Sequence, residues 1–229
     1  MTFDLIQSVI LREQVVKQIR TAIIEGRLRP NDHIVEKNLT DQLGVSRTPV
    51  REALILLERD GLVVSYPHRG SFVRDFTVQD VDDIFSMRTA LENFAGELIM
   101  SKLTALDYAK LDASVAAQQA AIVAGNFKVV RSIDMSFHEF LVDTSKHPLL
   151  MRNWRQIVAQ IAAVLYIRAE VIQDYDEYLA IRDHQGIVEA YKQRDLAALR
   201  AQNERVNRRV AEECKYSVAH SNRKSVSGE

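Results

Sequence analysis

Turn-forming residues are gathered at one end of this chain. Three of its four prolines, Pro30, Pro49 and Pro67, and four of its eight glycines, Gly26, Gly44, Gly61 and Gly70, fall within the first 70 residues. Past Phe76 only Pro148 remains. Proline lacks an N–H and fixes φ, so it bounds regular elements, and glycine supplies the turns between them. The first third must therefore be cut into short elements, while the rest is free to form long helices. This shift places one domain at residues 1–74, a linker at 75–79 and a second domain at 80–216, with the polar stretch 217–229 expected to be a disordered tail.

Within the first domain, "REQVVKQIRTAIIEGRL" puts Val15, Val16, Ile19, Ala22 and Ile23 on one helical face, with Gly26 as its stop. "IVEKNLTDQLGV" predicts a short second helix ending at Gly44. A third follows, with Ser46 as its cap, Pro49 in its first turn and Val50, Ala53, Leu54 and Leu57 as its inner stripe. "LVVSYPHRGSFVRDF" then offers two β-prone runs, Leu62–Tyr66 and Ser71–Arg74, joined by a Pro/Gly turn. Three helices and a hairpin make a winged helix-turn-helix. Arg47, Thr48 and Arg51 lie off the apolar stripe, in the first turns of the third helix. Arginine's planar fork suits both phosphates and guanine edges, and such a helix enters the major groove by its N-terminal end. The alternative is a solvated pair with Glu52 or Glu58.

"LTDQLGVSRTPVREALILLERDGLV" together with "RGSFV" resembles the GntR family of bacterial transcription regulators, over nearly all of residues 10–74. The resemblance implies that Arg47, Thr48 and Arg51 contact double-stranded DNA, that Lys37 meets the backbone, and that Arg69 and Gly70 act at the wing.

From Val78 onward the pattern is helical, in stretches at roughly 78–101, 104–125, 126–145, 148–170, 175–193 and 195–215. The expected architecture is an antiparallel all-α bundle, so the chain as a whole is mainly α. "DMSFHEFLV" sets Asp134 and His138 one turn apart on one helix, a spacing that can grip one metal ion, and His184 in "RDHQGIVEAY" is a third candidate. "MRTALENFAGELI", "DMSFHEFLV", "HPLL" and "HQGIVEAYKQRDLAAL" resemble the FCD ligand-sensing domain of FadR-like GntR regulators, and six helices resemble its VanR-like subgroup. The resemblance implies a divalent metal held by one Asp and three His. Asp134, His138 and His184 match three of these positions, whereas the fourth falls on Val206, which cannot ligate. Asn203, one turn earlier, is the candidate substitute oxygen. Zn²⁺ or Ni²⁺ suits such a set, with a carboxylate effector completing the coordination. Arg88 is the candidate effector-binding cation, its alternative being a surface pair with Glu92. Arg152, Asn153, Trp154 and Tyr166 are further candidates for a cavity wall.

A net charge of −1 announces no bulk affinity for nucleic acid, although the first 74 residues are slightly basic and the remainder slightly acidic. The single cysteine, Cys214, excludes an intrachain disulfide framework. No secretory leader pattern and no apolar run long enough to span a membrane is found, so the expected location is the cytoplasm. The expectation is a homodimeric transcriptional regulator, repressing by default and controlled by a small molecule in the helical domain. Two rivals are a helical metal hydrolase and a constitutive DNA-binding protein with a degenerate sensor.

Overall fold

The computed structural model describes residues 6–224. Helix α1 (Ile6–Ile24) turns Val15, Val16, Ile19, Ala22 and Ile23 inward at the expected spacing. Gly26 follows at φ +66°, and the Tyr166 hydroxyl lies 2.1 Å from where a Cβ would stand. The left-handed backbone strains any side chain there, and the Tyr166 ring would have to move to admit one. Strand β1 (His33–Ile34), helix α2 (Glu36–Leu43), helix α3 (Arg47–Arg59) and strands β2 (Val63–Tyr66) and β3 (Gly70–Val73) complete the first unit. Pro49, Val50, Ala53, Leu54 and Leu57 form the buried face of α3. Ser46 stands at its N-cap in extended backbone, but its side chain makes no capping bond.

The strands form an antiparallel sheet in the order β1-β3-β2, with Tyr66 opposite Gly70 at the hairpin end. β1 was not expected. It pairs only His33 with Phe72 and Ile34 with Ser71, too short a segment to show alternation in the sequence. The unit is the winged helix-turn-helix anticipated above.

Six helices follow: α4 (Val78–Ile99), α5 (Ala105–Val123), α6 (Phe127–Thr144), α7 (Pro148–Val171), α8 (Tyr178–Gln193) and α9 (Leu196–Lys224). Thr77 with Asp80, and Thr104 with Asp107, form reciprocal capping boxes that satisfy the first N–H groups of α4 and α5. Pro148 opens α7, where its missing N–H costs nothing. The expected disordered tail is corrected in part. Residues 217–224 continue α9, because Ser217 and Val218 are buried and hold this end of the helix against the bundle. The remainder of that stretch, 225–229, lies outside the described residues. Among the described residues no helix is long and apolar enough to cross a membrane.

One apolar core runs through both parts of the chain. It joins Val15 and Ile19 of α1, Leu57 of α3, Val63 and Val73 of the sheet, Ile84 and Phe85 of α4, Ile161 and Val164 of α7, and Val210 of α9. Phe76, inside the expected linker, is 2% exposed and belongs to this core. A second core at the far end of the bundle contains Leu111, Phe137, Leu141, Ile187, Tyr191 and Leu199. Phe76→Ala is expected to cost about 3–5 kcal/mol. Urea unfolding should show this as a lower midpoint at unchanged slope.

Candidate functional site

The outward face of α3 presents Arg47, Thr48 and Arg51 to solvent, and Lys37 is exposed in the first turn of α2. Arg51 is paired neither with Glu52 nor with Glu58. Its Nε donates to Glu36 Oε2 at 2.8 Å, while Glu58 accepts the Ser65 N–H. The Arg51 side chain is 62% exposed, so this pair adds little stability and stays open to exchange for another anion. At the wing, the Arg69 guanidinium sits 5.6 Å from the centroid of the Tyr66 ring. Tyr66 meets Phe72 edge-on, and His33 stacks on the same Phe72 ring. Gly70, at φ +86°, leaves room for the His33 imidazole, whose Nε2 lies 2.7 Å from where a Cβ would stand. The recognition-helix end and the wing are thus exposed cationic surfaces carried on a packed scaffold.

The second cluster lies within the bundle, with His138 and His184 buried and Asp134 half-buried. Asp134 and His138 project from α6 and His184 from α8, and one ligand atom from each lies within 4.8 Å of the other two. His138 Nε2 is 3.2 Å from His184 Nε2, and His184 Nε2 is 3.2 Å from Asp134 Oδ1. The remaining ring nitrogens are held by acceptors. His138 Nδ1 lies 2.8 Å from Glu92 Oε1, and His184 Nδ1 lies 2.8 Å from Gln118 Oε1. With Nδ1 donating to these acceptors, each ring keeps its Nε2 lone pair free, and both Nε2 atoms lie in the group formed with Asp134. Phe137 stacks on the His184 ring at 4.0 Å and fixes its plane. Two ligand atoms on one tetrahedral ion with bonds of about 2.0–2.1 Å stand about 3.3 Å apart. The donor types suit a divalent cation, the two 3.2 Å separations match that spacing while the three atoms together lie within 4.8 Å, and the outer acceptors are of the kind that orient histidine ligands.

Glu92 is the hub behind this cluster. Arg88 Nε donates to its Oε1 at 2.8 Å, and Asn207 Nδ2 donates to its Oε2 at 2.8 Å. Burial opposes ionisation of Glu92, yet the Arg88 guanidinium and the His138 ring outweigh it and hold the carboxyl well below its usual range. Burial likewise works against the Asp134 carboxylate, and His184 and His138 overcome it, so Asp134 also stays ionised. Burial, helped by the Arg88 charge, pushes the His138 pKa down and favours the neutral, ligating ring. Burial raises the Cys214 thiol to about 12, which leaves it a packing residue.

The triad borders a cavity of about 50 Å³, room for a few waters or a small organic anion. Its wall includes Arg88, Gln118, Arg131, Arg168, Tyr175, Glu177 and Arg209. Val206 is part of this wall too, so the position of the missing fourth ligand does face the cluster. Arg88 is 3% exposed, which corrects the expectation of a surface pair with Glu92: the pair exists, but inside the bundle. Asn203 is not part of the wall. Its Nδ2 donates to Asn93 Oδ1 at 2.9 Å, and it borders a separate, smaller space with Glu92 and His138. Asn203 thus lies on the Glu92 side of His138 rather than in the wall shared by all three residues. Arg152, Asn153, Trp154 and Tyr166 do not line the cavity either. Trp154 packs with Ala95, Val142, Leu150 and Met151, and Tyr166 covers Gly26. Glu92, Gln118, Arg168 and Arg209 were missed as site residues. In sequence, each looks like a polar residue on an ordinary helix, and only the partners brought by other helices reveal it.

Two family models match. The first, described as bacterial regulatory proteins of the gntR family, covers residues 11–73, and the FCD domain covers residues 83–208. The chain belongs to the GntR family. An HTH-type transcriptional regulator of Bacillus subtilis (strain 168), YdhC, is 30% identical over 187 residues, which cover 81% of this chain and 82% of that protein. A probable D-xylose utilization operon transcriptional repressor of Paenarthrobacter nicotinovorans is 30% identical, with 80% of this chain and 81% of that protein covered. Two solved structures share the fold. A GntR regulator from Rhodococcus sp. RHA1 gives a TM-score of 0.74 at 20% identity, covering 89% of this chain and 96% of that one. E. coli McbR/YncC gives 0.72 at 24% identity, covering 94% and 98%. This GntR protein is thus a DNA-binding transcriptional regulator with an FCD domain, and not an enzyme, which disposes of the hydrolase alternative. Removing Arg88 would strand the buried Glu92 charge, so Arg88→Ala should lower stability by about 3 kcal/mol, measured by urea unfolding at neutral pH.

Proposed function

We propose that this GntR regulator is a homodimeric repressor whose operator affinity is set by a small carboxylate-bearing metabolite bound in the bundle cavity. On this reading Arg47, Thr48 and Arg51 read the major groove, Lys37 contacts the backbone, and Arg69 and Gly70 meet the DNA at the wing. Asp134, His138 and His184 hold a divalent metal, Zn²⁺ or Ni²⁺, and Arg88 faces the effector. When bound, the metal supplies a Lewis-acidic site for a carboxylate oxygen. The observation that carries the reading is the gathering of three ligand atoms within 4.8 Å of one another, with Glu92 and Gln118 behind them. Three protein ligands leave a coordination position open, and Val206 offers nothing to fill it. The relative named as a D-xylose operon repressor supports repression. The effector acts by binding one relative arrangement of the two DNA-binding units better than the other.

Two measurements test this reading. Metal analysis of untagged, chelator-free protein should find near-stoichiometric metal in the wild type and little in Asp134→Ala/His138→Ala. Equal contents would remove the site. Val206→His should tighten the metal, and an unchanged Kd would deny position 206 a place at the ion. Separately, Arg51→Ala should weaken operator binding about tenfold or more at fixed salt, with a smaller loss on unrelated DNA. Equal losses on both would reduce Arg51 to a backbone contact.

A further inference from the structure

Helix α5 buries Leu111, Val115, Gln118 and Ala121 along one stripe. A glutamine stands there at a position built for an apolar residue, and it is fully buried. One end of its amide is used: Oε1 accepts from His184 Nδ1 at 2.8 Å. The other end is not. Gln118 Nε2 is buried and has no hydrogen-bond partner among the described residues. Buried N–H groups left in this state are rare in folded proteins, because the lost hydration is not repaid. Gln118 also forms part of the cavity wall, with Asp134, His138, His184 and Arg88.

The two ends have different chemistry. An acceptor against His184 Nδ1 keeps the proton on that nitrogen and leaves Nε2 free to ligate. The reverse amide orientation would put the proton on Nε2, where it would block the metal position. The orientation that suits the metal is therefore the one that leaves the N–H₂ group in need of an acceptor. An anionic oxygen is the acceptor that the cavity is otherwise arranged to receive.

We propose that Gln118 is a two-ended specificity residue: its Oε1 positions His184 as a metal ligand, and its Nε2 donates to an oxygen of the effector carboxylate. The inference rests on the metal-and-carboxylate reading above. It adds that the ligand must bring a second acceptor atom beyond the one on the metal. A carboxylate does so, and a monatomic anion such as chloride does not. Gln118 thereby ties ligand recognition to metal occupancy, since one rotamer serves both.

The test uses the full-length protein loaded with Co²⁺, whose visible absorption reports its coordination, titrated with acetate as the probe. Gln118→Met removes both ends without adding charge. It should weaken Co²⁺ by about 10–100-fold, and at saturating Co²⁺ it should still bind acetate about tenfold more weakly than wild type. Gln118→Glu restores the acceptor alone, so it should recover Co²⁺ affinity but not acetate affinity. Rescue of the metal without rescue of the probe is a pattern that loss of packing would not produce. Acetate binding by Gln118→Met equal to wild type at saturating Co²⁺ would overturn the proposal and leave the metal reading standing. A wild type that takes up no Co²⁺ would overturn both. Should the variants fail to fold, the wild type still decides. The Gln118 side-chain amide resonance should shift, and its hydrogen exchange slow, when acetate is added to the Zn²⁺-loaded protein. An unchanged resonance would refute the donor role.

Discussion

The helical half of this regulator depends on one buried carboxylate. Glu92 sits on α4 and is held by Arg88 of the same helix, by His138 of α6 and by Asn207 of α9. An ionised carboxylate inside a helical bundle is costly unless each oxygen is matched. Here the matching groups arrive from three helices, so the charge fixes how those helices sit against one another. It also fixes the chemistry one step further in. By accepting a hydrogen bond from His138 Nδ1, Glu92 orients the ring so that its other nitrogen faces His184. Gln118 performs the same office for His184 from α5. The donor cluster is thus the inner layer of a polar network whose outer layer holds the bundle together.

The DNA-binding half follows an opposite logic. Its cationic residues are exposed and loosely held, and only the scaffold beneath them is rigid. Arg51 leans on Glu36 across a solvent-exposed pair, and Arg69 lies against Tyr66, itself packed on Phe72 and through it on His33. Such groups can trade their protein partners for phosphate or base edges at little cost. Groups in the bundle cannot do so, since their partners are buried with them.

Much of the fold was legible in the sequence because apolar spacing and turn residues coincide. The stripe Val50, Ala53, Leu54 and Leu57 with Gly61 behind it reads as one helix and its stop, and the first five bundle helices were found with ends close to those observed. β1 was not legible, since two residues carry no period. The final turns of α9 were not, since a polar sequence becomes helical there through the burial of Ser217 and Val218. Of the cluster within the bundle, Asp134, His138 and His184 came from ligand spacing and family resemblance combined, and the structure brings them together. Asn203 stands outside the cavity wall and donates to Asn93. Glu92 and Gln118 gave no signal, since a single Glu or Gln on a helix is indistinguishable from a solvated one until distant chain supplies its neighbours.

The common apolar core has a consequence for how the protein divides. The family models leave a gap between residues 73 and 83, and the loss of turn residues in the sequence points to the same place. Packing does not respect that gap. Phe76 fills it, and Val164 of α7 and Val210 of α9 share a core with Ile19 and Leu57. A chain severed there would expose apolar faces on both fragments. The boundary between the family models is therefore not a boundary in packing, and a shared core of this kind should make the two modules unfold together.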